Sequence, residues 1–203
     1  MIKTIFFDIG GVILTNGWDR HQREATATEF GLDYEEFQDR HDFVAHDFET
    51  GQMDLDEYLT RTVFYRERDF GRDSFTASVF AHSQELPGSM ALLGELSAAD
   101  VQLASLNNES RQINEHRIHT FRLHEQMSLF LSTCDLGVKK PEQAIYELAL
   151  QITQRRPEEC VFIDDRELNL ECAADLGIDG VLFTGVEKLR DDLIARGVDF
   201  PST

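Results

Sequence analysis

From residue 87 to residue 196, short apolar runs alternate with longer stretches whose apolar residues recur at three- and four-residue spacing. The short runs predict β-strands, and the longer stretches predict α-helices. The predicted strands are 101–106, 127–131, 161–163 and 180–183, and the predicted helices are 89–98, 109–121, 141–152 (with Pro141 in its first turn), 167–176 and 186–196. Because neighbouring parallel strands need a crossover connection, usually a helix, this alternation favours an α/β fold with helices on both faces of a parallel sheet.

The amino-terminal part of the chain divides into a short strand and a long helical segment. Residues 4–7 form an apolar run that ends at Asp8 and the Gly10-Gly11 pair, which predicts a buried strand followed by a tight turn. Between residues 16 and 86 the spacing predicts helices alone, over 19–30, 34–50, 55–65 and 73–82. We therefore predict two domains: residues 1–15 and 87–203 form the sheet domain, and residues 16–86 form an inserted helical domain.

The chain carries a large excess of negative charge. It has 38 Asp and Glu residues against 19 Lys and Arg residues, which gives a formal net charge of −19. Such a charge repels nucleic acid phosphates and anionic membrane surfaces, so neither is an expected partner. The cysteines Cys134, Cys160 and Cys172 show no C-x-x-C spacing and are predicted to be reduced, as in a cytoplasmic protein. Both a monomer and a homodimer remain open.

Polar residues follow the predicted strands at the points where the strands end. In open parallel sheets these carboxyl ends lie along one edge, where ligands bind. Carboxylates that crowd together repel each other and favour a cation between them, and oxygen ligands alone favour Mg²⁺ or Ca²⁺. Each residue by itself has an ordinary explanation, such as a helix cap or a loop, so the prediction depends on their order. In chain order these residues are Asp8, Asn107 and Asn108, Lys139 and Lys140, and Asp164 and Asp165.

The order of these motifs resembles that of the haloacid dehalogenase superfamily. The motifs that carry the resemblance are Phe6-Phe7-Asp8-Ile9-Gly10-Gly11-Val12, Leu106-Asn107-Asn108, Gly137-Val138-Lys139-Lys140-Pro141, and Phe162-Ile163-Asp164-Asp165 with Asn169. The helical insertion resembles the cap that part of this superfamily carries just after the first strand. Residues 136–182 resemble the branch that contains bacterial α-glucose-1-phosphate phosphatase and the phosphatase domain of soluble epoxide hydrolase. The resemblance implies a Rossmann-like three-layer core around a parallel sheet, with an inserted α-helical cap.

The resemblance also implies a mechanism of phosphate ester hydrolysis. Asp8 would be the nucleophile that forms an aspartyl phosphate, and Lys140 would neutralise charge on Asp8 and the phosphate. Mg²⁺ would be the cofactor, held by the Asp8 carboxylate, the Gly10 carbonyl and Asp165, with Asp164 orienting the metal shell or Lys140. The partner would be a small phosphorylated substrate, such as a sugar phosphate. The substrate-binding positions would be Gly10, Asn107, Asn108 and Lys140.

Two positions depart from the phosphatase pattern of the superfamily. Gly10 replaces a second aspartate that acts as general acid and base, and Asn107 stands where Ser or Thr is usual. General acid–base catalysis is typically worth about 10²–10⁴-fold. Three interpretations stay open. In the first, the chain is a phosphatase whose substrate has a good leaving group, or in which Asp19, His21 or His41 is the acid. In the second, it is a catalytically impaired protein that binds a ligand or a partner. In the third, it is a 2-haloacid dehalogenase, which the paired aspartates of the fourth motif disfavour.

Two further features allow both a functional and a structural interpretation. His116 and His119, together with Glu115, lie at helical spacing and could hold a metal ion, but a solvated helix face is the preferred interpretation. Trp18 is the single tryptophan and either lines the substrate pocket or packs the hinge between the two domains.

Overall fold

The computed structural model describes residues 1–200; residues 201–203, which the predicted sheet domain includes, lie outside the described part. The strands are β1 (Thr4–Phe7), β2 (Gln102–Asn107), β3 (Leu129–Ser132), β4 (Cys160–Asp164) and β5 (Asp179–Leu182). The helices are α1 (Arg20–Glu29), α2 (Tyr34–Glu49), α3 (Leu55–Thr62), α4 (Arg72–Ala81), α5 (Ser89–Ser97), α6 (Arg111–Thr120), α7 (Thr133–Leu136), α8 (Gln143–Thr153), α9 (Glu167–Asp175) and α10 (Val186–Ala195).

The five strands form one parallel sheet in the order β3-β2-β1-β4-β5, so β1 lies at the centre. Phe7, the last residue of β1, lies opposite Ser105 of β2 and Ile163 of β4. The carboxyl ends of these three strands therefore lie side by side, and Asp8 and Asp164 follow at the same edge. The chain turns to opposite sides of β1 to form β2 and β4, and open α/β sheets bind their ligands at such a switch point. The predicted α/β fold is confirmed.

Apolar packing on both faces of the sheet explains the continuous apolar run of β1. Ile5 and Phe7 belong to one buried cluster, which includes Leu92 of α5. Phe6 points to the opposite face and belongs to a second cluster, which includes Tyr146 of α8. A strand that is covered on both faces needs no alternation of polar and apolar residues. The sheet is thus the middle of three layers.

Helices α1 to α4 surround a third apolar cluster, rich in aromatic side chains. Carboxylates cap these helices: Asp33 accepts from the backbone N–H of Glu36 at 3.0 Å, and Asp54 accepts from that of Glu57 at 2.8 Å. Residues 16–86, here called the cap, contribute all the buried members of this cluster except Ile113 of α6. The exact boundaries of the cap and of the sheet domain stay a prediction. The aromatic members of the cluster include Trp18, Phe37, Phe48, Tyr58 and Phe75.

Two details of the predicted elements were wrong. Pro141 does not lie in the first turn of a helix, because α8 begins at Gln143. Pro141 instead lies in a turn that the bond from the Glu142 N–H to the Lys139 carbonyl closes at 2.8 Å. The one-turn helix α7 was not predicted, since it is too short to show a repeat. No helix within residues 1–200 has the length and apolar character needed to cross a membrane.

Candidate active site

A cavity of about 310 Å³ lies at the carboxyl edge of the sheet, between the sheet domain and the cap. Its volume falls within the range of about 300–1,000 Å³ that is usual for sites that bind small molecules. The strand-end residues Asp8, Asn108 and Lys140 line it from the sheet side. The cap residues that line it include Trp18, Arg23, His41, Phe48 and Glu49.

The ammonium group of Lys140 lies between two carboxylates. Its Nζ is 3.0 Å from Oδ2 of Asp8 and 2.6 Å from Oδ2 of Asp164. Lys140 is 3% exposed and Asp164 is fully buried, so little water screens these charges. Oδ1 of Asp8 also accepts the backbone N–H of Ile9 at 2.8 Å. Together these contacts fix the Asp8 carboxylate at the base of the cavity.

The two aspartates that end β4 have different surroundings. Both oxygens of Asp164 accept from the Asn169 amide at 3.0 Å, and Oδ1 also accepts the backbone N–H of Arg166 at 2.9 Å. Asp164 is therefore fully occupied by protein donors and holds Lys140 in place. Oδ1 of Asp165, in contrast, is buried without a hydrogen-bond partner among the described residues. Since leaving a buried oxygen unpaired is costly, this atom indicates a ligand position.

Asp8, Asp164 and Asp165 form a cluster that fits a hard cation. Each places a carboxylate oxygen within 4.8 Å of the other two. Burial raises the pKa of Asp8 to about 6, against the attraction of the Lys140 ammonium, and the charge of Asp164 raises it further. Burial and then the charge of Asp164 also raise the pKa of Asp165. A divalent cation would relieve this repulsion and pair the free oxygen of Asp165, and Mg²⁺ prefers such oxygen ligands.

Asn108 and Asn107 are adjacent but have different environments. The Asn108 amide clamps the backbone of Lys140: its Oδ1 accepts the Lys140 N–H at 2.9 Å, and its Nδ2 donates to the Lys140 carbonyl at 2.8 Å. The Asn107 side chain is buried away from the cavity. It donates to Oδ1 of Asn114 at 3.1 Å and accepts from the Ser132 hydroxyl at 2.9 Å. The geometry thus favours a positioning role for Asn107 rather than the predicted contact with substrate.

Gly10 lines the cavity, but side chains from elsewhere fill the space beside it. A Cβ on Gly10 would lie 2.9 Å from Oδ1 of Asn16 and 3.5 Å from Nη1 of Arg117. Arg117 is 2% exposed, and its Nη1 lies 3.4 Å from Oε2 of Glu109, which is also buried. A buried ion pair therefore lies near the position where the resemblance places a second aspartate.

A chain of hydrogen bonds on the cap side of the cavity holds the imidazole ring of His41. The Trp18 indole N–H donates to the Tyr58 hydroxyl at 2.9 Å, and that hydroxyl lies 2.9 Å from Nδ1 of His41. The Tyr58 hydroxyl thus connects the two rings, and its hydrogen bond with Nδ1 fixes the orientation of the His41 imidazole. Burial lowers the pKa of His41 to about 4, and the charge of Arg23 lowers it further. His41 is therefore a neutral hydrogen-bond donor at pH 7.

We expect His41 to make the stability of the protein depend on pH. The pKa is about 6.5 in the unfolded chain and about 4 in the fold, so the unfolded chain binds more protons between these values. The free energy of unfolding should therefore fall as the pH drops through this window, by up to about 1.4 kcal/mol per pH unit. Urea unfolding at pH 5, 6 and 7 should show the wild type losing more stability than His41→Gln. Equal losses in both proteins would contradict this prediction.

The other candidate acids and the candidate histidine site differ in their surroundings. Asp19 pairs with Arg166 across the mouth of the cavity at 2.8 Å. His21 does not line the cavity. His116 stacks on Phe80 with ring centroids 4.3 Å apart, and within residues 1–200 the three-carboxylate cluster is the one group of potential metal ligands. Trp18 lines the cavity and also belongs to the apolar cluster of the cap, and its packing at the hinge stays a prediction.

Several cavity residues were missed from the sequence. Glu109 immediately follows the asparagine pair, and that position after a strand was the available signal. Arg23 and Glu49 lie on amphipathic cap helices, where no local signal separates a cavity residue from a surface residue. Arg117 is a charged residue inside a predicted helix and would ordinarily be assigned to the surface.

Comparison with known proteins places the chain in a family. A family model described as haloacid dehalogenase-like hydrolase matches residues 2–177. The chain belongs to this family of hydrolases, which confirms the resemblance. A solved haloacid dehalogenase family enzyme of Bacteroides thetaiotaomicron superposes with a TM-score of 0.80 at 20% identity, over 94% of this chain and 98% of that one. Another structure of that enzyme contains magnesium and inorganic phosphate, and superposes with a TM-score of 0.75 at 21% identity over 90% of this chain and 94% of that one.

Two curated relatives are similar over part of their length. Flavin mononucleotide hydrolase 1 of Arabidopsis thaliana, a chloroplast protein by its name, is 29% identical over 79% of this chain and 64% of that protein. Bifunctional epoxide hydrolase 2 of Rattus norvegicus is 32% identical over 39% of this chain and 14% of that protein. The chain thus spans less than two thirds of the length of these relatives. The cytoplasmic location and the oligomeric state of this chain stay predictions.

Proposed function

We propose that this chain is a Mg²⁺-dependent phosphomonoester hydrolase that forms an aspartyl phosphate on Asp8. The observation that carries the proposal is the position of Lys140. Its ammonium group contacts the Asp8 carboxylate at 3.0 Å and is held from behind by Asp164 at 2.6 Å, at the base of a cavity. A carboxylate nucleophile that faces a cavity beside a fixed cation suits attack on a phosphate.

Each of these residues has a separate role in the attack on the phosphate. Asp8 attacks phosphorus with one oxygen while Lys140 stabilises the negative charge that Asp8 and the phosphate bring together. Asp164 and Asn108 position Lys140, the first through its ammonium group and the second through its backbone. A rigid arrangement of this kind needs no reorganisation when the charge develops.

Mg²⁺ would be held by the carboxylates of Asp8 and Asp165 and by the backbone carbonyl of Gly10. Asp164 would orient these ligands or Lys140. When bound, Mg²⁺ would supply positive charge to the phosphate oxygens. The free buried oxygen of Asp165 supports this set, as do the three carboxylates within 4.8 Å of one another. The related enzyme of Bacteroides thetaiotaomicron that was crystallised with magnesium and inorganic phosphate supports the choice of Mg²⁺ as the cation.

The substrate is a small phosphorylated metabolite. The cavity is of a size for such a molecule, and the net charge of −19 disfavours a nucleic acid. Flavin mononucleotide, named for the Arabidopsis relative, is one candidate, and sugar 1-phosphates are another because their anomeric oxygen leaves easily. Arg23 and His41 line the cavity from the cap and offer polar groups to the part of the substrate beyond the phosphate.

The replacement at Gly10 supports one alternative, a catalytically impaired protein that binds a phosphorylated ligand. The third interpretation, a 2-haloacid dehalogenase, has less support. The cluster of Asp8, Asp164 and Asp165 with the unpaired oxygen of Asp165 calls for a cation, whereas dehalogenase chemistry needs none.

Phosphate release from a panel of substrates tests the proposed function. The panel contains flavin mononucleotide, sugar 1-phosphates, sugar 6-phosphates and nucleotides, each with Mg²⁺ and with EDTA. We expect Mg²⁺-dependent release that falls to background in Asp8→Asn, which keeps the shape of the side chain but removes the nucleophile. No release from any substrate, together with ligand-induced stabilisation of the protein, would favour the impaired binder. Chloride release from 2-chloropropionate would favour the dehalogenase.

A further inference from the structure

We propose that Glu109 is the acid and base of this active site and takes the role that a side chain at position 10 would have had. The inference rests on the proposed phosphatase function. Its basis is the place and the surroundings of the Glu109 carboxylate, which lines the same cavity as Asp8 and Gly10 although it comes from a different strand.

The Glu109 carboxylate is held at the cavity wall from three sides. Its Oε1 accepts the backbone N–H of Ser110 at 2.9 Å, and its Oε2 lies 3.4 Å from Nη1 of Arg117. A Cβ on Gly17, another cavity residue, would lie 3.0 Å from Oε2, so the carboxylate packs directly against that glycine. These contacts leave the carboxylate 9% exposed, at the cavity surface.

Arg117 fixes this arrangement and connects it to Gly10. Its Nε donates to the Ser83 hydroxyl at 3.0 Å, and its Nη2 donates to the Thr15 carbonyl. The remaining nitrogen, Nη1, faces Glu109. It would lie 3.5 Å from a Cβ on Gly10. Arg117 therefore contacts Glu109 and lies near Gly10, which makes it a positioning residue for the Glu109 carboxylate.

The ion pair between Glu109 and Arg117 is longer than a charge-assisted hydrogen bond. Charge-assisted N–H···O bonds are commonly about 2.7–2.9 Å long, and this pair is separated by 3.4 Å. Burial raises the pKa of Glu109. The Arg117 charge and the Ser110 N–H lower this pKa in part, whereas the charges of Glu49 and Asp8 raise it. A raised pKa favours the protonated form of the carboxyl group, which is the form that a general acid requires.

The other acids near the cavity are less suited to the role. Asp19 is engaged with Arg166 at the mouth, and Glu49 is paired with Lys139 at 2.9 Å. His41 is neutral and holds its proton as a very weak acid, since its pKa of about 4 describes the imidazolium form. Glu109 is the remaining carboxylate that lines the cavity among these groups, and its partner Arg117 lies near Gly10.

The proposed chemistry has two balanced steps. In the first, an Asp8 oxygen forms a bond to phosphorus, the bond from phosphorus to the leaving oxygen breaks, and protonated Glu109 gives its proton to that oxygen. In the second, the Glu109 carboxylate takes a proton from water while the water oxygen bonds to phosphorus. The bond between Asp8 and phosphorus then breaks, which regenerates the Asp8 carboxylate and protonated Glu109.

The experiment compares leaving groups of increasing basicity: p-nitrophenyl phosphate, phenyl phosphate and the alkyl phosphate flavin mononucleotide. In Glu109→Gln we expect kcat/KM to fall by at least about 100-fold for flavin mononucleotide, less for phenyl phosphate, and less than about 10-fold for p-nitrophenyl phosphate, whose leaving group needs little protonation. The kcat for p-nitrophenyl phosphate should fall, with aspartyl phosphate accumulating, because the base of the second step is lost.

Glu49→Gln is the matched control, since Glu49 is another paired glutamate that lines the cavity. It should change kcat/KM for all three substrates by a similar factor. An equal fall for all three substrates in Glu109→Gln would overturn this inference and leave the proposed function intact. If the wild type hydrolyses none of the three, nor any other substrate of the panel, both the proposed function and this inference are overturned.

Discussion

Replacing Lys140 with methionine should strongly slow phosphate release and also lower the free energy of unfolding by about 3–5 kcal/mol. Methionine fills most of the volume of the lysine side chain, so the change removes the charge with little loss of packing. The buried Asp164 carboxylate, and Asp8 beside it, would then lose their cation. Removing one partner of a buried ion pair is costly because the other charge stays buried. Urea unfolding in EDTA measures this cost without a metal ion that could replace the ammonium group.

Lys188→Met is the matched control for this prediction. Lys188 pairs with Asp192 on an exposed turn of α10, where its side chain is 60% exposed. Exposed pairs of this kind contribute about 0–1 kcal/mol, so stability should change little and activity should be kept. In Lys140→Met, kcat/KM should fall by at least about 10²–10³-fold, the usual effect of removing one group that stabilises charge in a transition state. If both variants lose the same stability, the buried pair does not have the proposed role.

The strand ends account for most of what the sequence could predict about the site. Asp8, Lys140 and Asp164 were found because parallel strands end at one edge, a rule that needs only the positions of the strands. The α/β fold was predicted correctly from the alternation of strands and helices, which allows few topologies. Asn108 was also assigned to the site; it lines the cavity, and its side chain is hydrogen-bonded to the Lys140 backbone.

The sequence could not predict which neighbouring side chain faces the cavity. Asn107 and Asn108 are adjacent, and a shift of one residue at a strand end decides which of them points to the ligand. Glu109 and Arg117 approach each other because α6 begins just after β2 and folds back over the sheet edge, and this depends on tertiary packing. The positions of Arg23 and His41 in the cavity depend on how the cap packs on the sheet, for which residues 16–86 carry no local signal.

Gly11→Ala should destabilise the protein and also weaken its stabilisation by Mg²⁺. Gly11 has φ +78° in the tight turn that its N–H closes with the Leu14 carbonyl at 2.7 Å. An L-residue in this conformation costs about 1–2 kcal/mol. A Cβ there would also lie 2.5 Å from Cγ of Asp165, and forced crowding of this kind costs about 1–3 kcal/mol more. The Asp165 carboxylate must move away, and the proposed metal site loses one of its ligands.

Gly31→Ala separates the two effects because it has the same backbone conformation without the crowding. Gly31 has φ +62°, and no atom lies within 4 Å of the position of its Cβ. It should therefore show the conformational cost alone and keep the wild-type response to Mg²⁺. In the wild type, Mg²⁺ at about 100 times its Kd should raise the free energy of unfolding by about 2.7 kcal/mol. Thermal and urea unfolding with and without Mg²⁺ measure this gain in each protein. If Gly11→Ala gains as much from Mg²⁺ as Gly31→Ala does, Asp165 is not a ligand of the metal ion.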